Sequence, residues 1–261
     1  MAILKSGIPF TGSVGNMSCY TRKDMEGVYI VRTKGGGSRK KIAKSPTCKA
    51  IRDNNADFGV SSKAGSNVRW MLTYLKHLAD YNITPKLNSL SKIIQSYDKV
   101  NPKGKREVLF AKHRQLLNGF SLNNRYPLDG IVRHPLQCTI NRTTCSAVVQ
   151  FPDLIPGVNL FLPWKAPLYR FIISLGILTD NGAKPVQERT HRFVKRVYTA
   201  WQTAQIPFAA QQIEVKIENG YANEENQTLI LSIGIEMGEP ITNELIGIVK
   251  NTGSAKIVMV E

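Results

Sequence analysis

The side chains whose type and spacing suggest a chemistry are cations near the start of the chain: Arg22, Lys23, Arg32, Lys34, Arg39, Lys40, Lys41, Lys44, Lys49 and Arg52. Lys and Arg neutralise phosphate oxygens without reading sequence, and such binding weakens steeply as salt rises. Tyr20 and Tyr29 stand among them. Stacking rings beside cations add a preference for single strands. The same cations suit an acidic protein surface equally well. No helix-turn-helix, zinc-finger or RNA-binding signature accompanies them.

Other chemistries find no constellation in the sequence. Gly35-Gly36-Gly37-Ser38 follows a strand-like stretch, but basic residues and Pro46 come next where a phosphate-binding loop needs a helix. His77, His113, His134 and His191 are scattered, with no second ligand at metal spacing on a shared element. Acidic residues are scarce before residue 206, so paired acid and base carboxylates are hard to assemble there. There is no Gly-x-Ser-x-Gly elbow. Cys138 and Cys145 are the nearest pair of the four cysteines, and their spacing is not that of a metal or redox motif. Free thiols of a reducing compartment are expected. These readings predict a protein that is not an enzyme and carries no cofactor and no metal.

The cations must be positioned by an arm rich in glycine. Residues 1–60 carry Gly7, Gly12, Gly15, Gly27, Gly35, Gly36, Gly37 and Gly59, a density that implies turns. Ser13 to Arg22 and Gly27 to Lys34 are predicted as the strands of a hairpin, and Gly35 to Lys49 as a flexible basic segment. An isolated hairpin is marginal in water, so it is expected to dock on its own body or on a neighbour. From about Ser61 the period changes. Val68, Met71, Leu72, Leu75 and Leu78 share one helical face, predicting a helix from Ser66 or Asn67 to about Asn82. Thr84-Pro85 opens a second helix, and a third is predicted from Lys105 to about Asn118. Beyond a loop at Asn123–Gly130 the chain reads as β: Ser146–Phe151, Leu168–Leu178, Gln212–Glu218, Thr228–Glu236 and Ala255–Val260, with Asn219-Gly220 as a turn. Residues 190–201 suit helix or strand, with strand preferred. Residues 238–254 suit either a loop with a short strand at Leu245–Lys250 or a crossing connection. The expected class is α+β: residues 1–60 as an extended arm with a hairpin, 61–122 as a helical segment, 123–261 as an antiparallel β-sandwich.

Composition agrees with a folded chain, 42% hydrophobic and 21% charged, with a formal net charge of +16. The charge is polar along the chain. Residues 1–66 hold 12 Lys/Arg against 4 Asp/Glu, whereas residues 206–261 hold 3 against 8. Such asymmetry suits head-to-tail association of identical copies, or a basic arm laid on nucleic acid. The opening residues are too short an apolar stretch for a secretory signal, and no run approaches the ~18 apolar residues of a membrane span. A cytoplasmic or virion-like-particle location without a membrane partner is expected.

Met1-Ala2-x-Leu4-Lys5-x-Gly7, Gly12-Ser13-Val14-Gly15-Asn16, Tyr29 to Gly36 and Arg52 to Gly59 together carry a resemblance. Over roughly the first 65 residues the chain resembles an uncharacterised family of Bacteroidetes-type bacteria and phage-like gene sets. That resemblance implies no catalytic residues. It implies a particle, filament or assembly component. The expected role is therefore non-enzymatic scaffolding, with homo-oligomer or particle subunits as partners. The alternative expectation is nucleic-acid binding through the arm and the basic helices.

Overall fold

The structure is a computed structural model that describes residues 2–4, 10–22, 25–180, 193–218, 225–242 and 244–261, with backbone alone at 2–4, 22 and 25–27. The chain divides into two compact units, Met1–Arg52 and Asp53–Glu261. The helical and β parts expected as separate segments, 61–122 and 123–261, thus belong to one unit, and the division falls at 52 rather than 60.

Among the described residues the first unit holds four strands, β1 (Ala2–Leu4), β2 (Gly12–Val14), β3 (Met17–Arg22) and β4 (Met25–Thr33), and a short helix α1 (Arg39–Lys44). The strands form one antiparallel sheet in the order β1-β4-β3-β2. The predicted strand Ser13–Arg22 is corrected: Gly15 adopts φ +53° and, with Asn16, turns the chain back on itself. Only a residue tolerant of positive φ makes that turn cheaply. The flexible segment expected over Gly35–Lys49 is also corrected. It contains α1, whose first turn is capped by the Ser38 hydroxyl accepting from Lys41 N–H at 3.2 Å. Pro46 then starts a single 3₁₀ turn instead of ending order.

The second unit begins within α2 (Lys49–Met71), continues through a 3₁₀ turn at Lys76–Leu78, and adds α3 (Thr84–Ser96) and a short α4 (Leu128–Ile131). Its strands are β5 (Gln137–Asn141), β6 (Ser146–Phe151), β7 (Leu168–Thr179), β8 (Val194–Tyr198), β9 (Gln202–Thr203), β10 (Gln211–Lys216), β11 (Gln227–Pro240), β12 (Ile246–Ile248) and β13 (Ser254–Val260). β8 agrees with the strand preferred for 190–201, and residues 219 and 220 of the expected turn lie outside the described residues. Among the described residues two antiparallel sheets result, β10-β6-β5 and a six-stranded sheet with β11 and β7 at its centre. β7 carries β8 and β9 on its far edge, and β11 carries β12 and β13 on its own.

Both faces of the six-stranded sheet are covered, so β7 and β11 are buried along nearly their whole length and read as long apolar runs, interrupted by Arg170 and Ser174 in one and by Ser232 and Glu236 in the other. Phe171, Ile173, Leu175, Leu231, Ile233 and Ile235 join Val149, Phe151 and Val215 of the smaller sheet in one core. Ile172, Leu178 and Ile230 join Val68, Met71, Leu72, Leu75, Leu78 and Leu87 of the helical layer in the other. The helical layer lies close because glycines face it. A Cβ built on Gly176 would lie 2.9 Å from Met71 Sδ, and one on Gly234 would lie 2.7 Å from both Leu75 and Leu78.

Two helix expectations are corrected. α2 starts at Lys49, so Arg52–Gly59 is helical and not arm. Its buried positions include Asp57, Ser61 and Gly65, small or polar residues that no apolar stripe reveals. Gly65 admits α3: a Cβ there would sit 2.6 Å from Asn88 Oδ1. The predicted helix Lys105–Asn118 does not form, apart from a 3₁₀ turn at Arg114–Leu117. Side chains distant in sequence capture its backbone instead. Asp180 accepts from Phe110 and Ala111 N–H at 3.0 and 2.8 Å, Asp98 accepts from Glu107 N–H, and Gln95 donates to Arg106 O. Among the described residues no helix is long and apolar enough to cross a membrane.

Candidate functional site

Residues paired across β3 and β4 share a face. Ser18 opposes Arg32 and Tyr20 opposes Ile30, which lets the Arg32 guanidinium lie 5.3 Å from the Tyr20 ring centre. The opposite face carries Val14, Met17, Cys19 and Val31. Cys19 is buried there, while Val14 and Met17 are 58% and 48% exposed. Lys34 closes the β2–β3 turn, its N–H donating to Asn16 O at 2.7 Å and its Nζ to Gly15 O at 2.9 Å. Arg52 is also committed. Its Nη1 donates to the carbonyls of Ile42 and Ser45, both at 2.7 Å, at the end of α1 where carbonyls lack helical partners.

The ten predicted contact residues therefore separate. Arg39, Lys40, Lys41 and Lys44 come together on α1, all exposed, and among the described residues no carboxylate bonds them. Lys49 is exposed at the start of α2. Arg32, Lys34 and Arg52 are engaged as above. Arg22 lies on β3 with backbone alone described, and Lys23 lies outside the described residues.

A second cluster was not foreseen. Glu236 is fully buried on β11, directly opposite Arg170 of β7. Arg170 Nε and Nη2 both meet Glu236 Oε1, and His77 Nε2 lies 3.0 Å from Oε2. Burial pushes the Glu236 carboxyl up, but hydrogen bonds from His77 and Arg170 and the charge of both outweigh it and hold the group below its usual range. The Arg170 guanidinium is itself covered by rings, 4.0 Å from the Tyr198 centre and 4.4 Å from that of Trp201. Arg196 extends the stack, 5.0 Å from Tyr198 and 4.1 Å from Tyr74. Trp201 also packs where a Cβ on Gly238 would fall, 2.6 Å from its ring. The cluster ties β7, β8, β11 and the 3₁₀ turn after α2 together, and its rings are occupied by protein. The available signal was one acidic residue inside the apolar run 229–237; its partners, 66 and 159 residues away, gave none.

The clefts add little chemistry of their own. One of about 670 Å³ is lined by Asp80, Arg125, Tyr126, Trp164 and Asn251. The Asp80 carboxylate there accepts backbone N–H from Asn124 and Arg125 at 2.8–3.0 Å, so it is engaged in the wall. Another, of about 390 Å³, brings His134, Cys138, Asp129 and Lys256 to one cleft. Burial pushes the Cys138 thiol up to about 11, the reverse of what a nucleophile needs, and Asp129 is held by Lys256 Nζ at 2.6 Å. Compared with protein-family models, with curated proteins and with solved structures, the chain finds no match.

Proposed function

We propose that the protein is a scaffolding or particle subunit that associates with copies of itself through its N-terminal unit. One observation carries this reading: among the described residues, every member of the two hydrophobic cores lies beyond Arg52. Within that unit the buried apolar side chains are Cys19, Ile30 and Cys48, among the described residues. So small a core contributes little against the entropy of ordering about fifty residues. A surface completed by another subunit supplies what the unit lacks, and Val14 and Met17 are apolar groups available for it. The second unit, with its two antiparallel sheets in the manner of a sandwich, would form the body. The resemblance of the first 65 residues to an uncharacterised family of Bacteroidetes-type bacteria and phage-like gene sets implies an assembly component as well.

Removing residues 1–45 leaves both cores intact, so the truncated protein is expected to stay folded and become monomeric. Size-exclusion chromatography with light scattering checks this on nucleic-acid-free protein. Truncated protein that assembles like the full chain would exclude this role for the N-terminal unit.

The four exposed cations of α1 favour a second reading, in which the unit binds nucleic acid. Affinity would then fall by roughly 0.9 log unit per log unit of salt for each phosphate contacted. Replacing Arg39, Lys40, Lys41 and Lys44 with Ala should flatten that slope. An unchanged slope removes α1 from nucleic-acid binding.

A further inference from the structure

The connection of β11 to β12 has the opposite character to the basic helix α1. Ile241, Leu245 and Ile248 are 65%, 56% and 49% exposed within eight residues of one another. Glu239 and Glu244 flank them, also exposed, and among the described residues no cation pairs with either. Clustered exposed apolar side chains rimmed by charge mark an interaction site more often than single ones do. This surface is built and not loose. Ile241 and Thr242 N–H both donate to Leu245 O, at 2.8 and 3.1 Å, and the Thr242 hydroxyl accepts from Leu245 N–H at 3.1 Å. A Cβ on Gly247 would lie 2.7 Å from Ile241 Cδ1, so Ile241 is seated across that glycine. At the base, Trp201 and Ile246 both lie over Gly238, and the Trp201 ring also faces Arg170 of the buried ion cluster.

We infer that the β11–β12 hairpin of one copy docks on the N-terminal unit of a second copy, with Ile241, Leu245 and Ile248 meeting its exposed apolar face and Glu239 and Glu244 meeting its cations. The inference rests on the self-association proposed above and names its second surface. Charge complementarity selects the occupant. Residues 1–52 hold 11 Lys/Arg against 2 Asp/Glu, whereas the hairpin is acidic, and each surface exposes apolar side chains that its own charges leave uncovered. The two halves of such a contact are different. Each copy carries one of each, so association runs head to tail and gives a ring or an open chain.

A head-to-tail contact has a specific test in the full-length protein. Ile241→Asp with Leu245→Asp removes the hairpin half, and Val14→Asp with Met17→Asp removes the N-terminal half. Each variant alone is expected to be monomeric by light scattering, with apparent affinity weakened at least tenfold and an unchanged circular dichroism spectrum. Mixed one to one, each supplies what the other lacks, and a capped dimer is expected that weakens as salt rises. Two monomeric variants that stay monomeric when mixed overturn the inference. So does a hairpin variant that assembles like the unaltered chain while the N-terminal variant does not, and that result leaves the self-association reading standing. An unaltered chain that is monomeric at every concentration ends both.

Discussion

Glu236 is buried and Asp180 half-buried in the same unit, yet their surroundings drive the two carboxylates in opposite directions. Glu236 is held below its ordinary range, so its ionised form stabilises the fold at neutral pH. That contribution is present above the unfolded carboxyl value and disappears as pH falls through the folded one. Glu236→Gln leaves Arg170 without its charge partner and should cost about 3 kcal/mol, read by denaturant unfolding at pH 7. Burial pushes Asp180 up to about 6, against the two N–H groups of Ala111 and Phe110 that favour its charge, and the charge of Glu107 adds to the rise. The folded state therefore holds this proton longer than the unfolded state does. Stability from Asp180 is full below about pH 4 and declines toward pH 6 by about 2 kcal/mol. A carboxyl carbon titration by NMR should show a midpoint near 6 at this residue. Residue types were legible in the sequence, and their pairings were not. Arg52 and Lys34 look like the cations of α1 on paper, but they bind backbone carbonyls that only the folded turn brings within reach.

At the scale of elements, the strands were easier to read than the helices, for a physical reason. β6, β7, β11 and β13 are dense in Val, Ile, Leu and Phe, so local composition decides them. Helix α2 buries Asp57, Ser61 and Gly65, so its apolar stripe appears only at Val68 and beyond. Lys105–Asn118 has a helical pattern, but its backbone is captured by Asp98, Gln95 and Asp180, and tertiary contacts outweigh local propensity there. The glycines of the central sheet serve packing that the sequence does not announce. Gly234→Ala would crowd Leu75 and Leu78 and should cost about 1–3 kcal/mol. Gly253→Ala should cost more, because Gly253 combines φ +96° with an approach of 2.5 Å between an added Cβ and Ile235 O. Thermal unfolding of the two variants ranks them, and an equal effect would show that the backbone at 253 relaxes.

On the scale of the whole chain, charge runs from basic to acidic, and the structure gives each end a defined surface: α1 and the β2–β3 face at one, the β11–β12 hairpin at the other. The division into units at residue 52 was not legible, because the apolar and basic signals both change gradually between residues 45 and 66. The order of the strands has a further consequence during synthesis. β13 pairs with β11, and beyond it Leu122 donates to Ala255 O and Ile257 to Phe120 O. The central sheet therefore lacks a partner on that edge until residues 254–260 have left the ribosome. The N-terminal sheet, whose pairings are all local, is complete some two hundred residues earlier. A nascent chain thus carries the exposed Val14 and Met17 long before its body can close, and under the proposed self-association polysomes are where premature association would be seen.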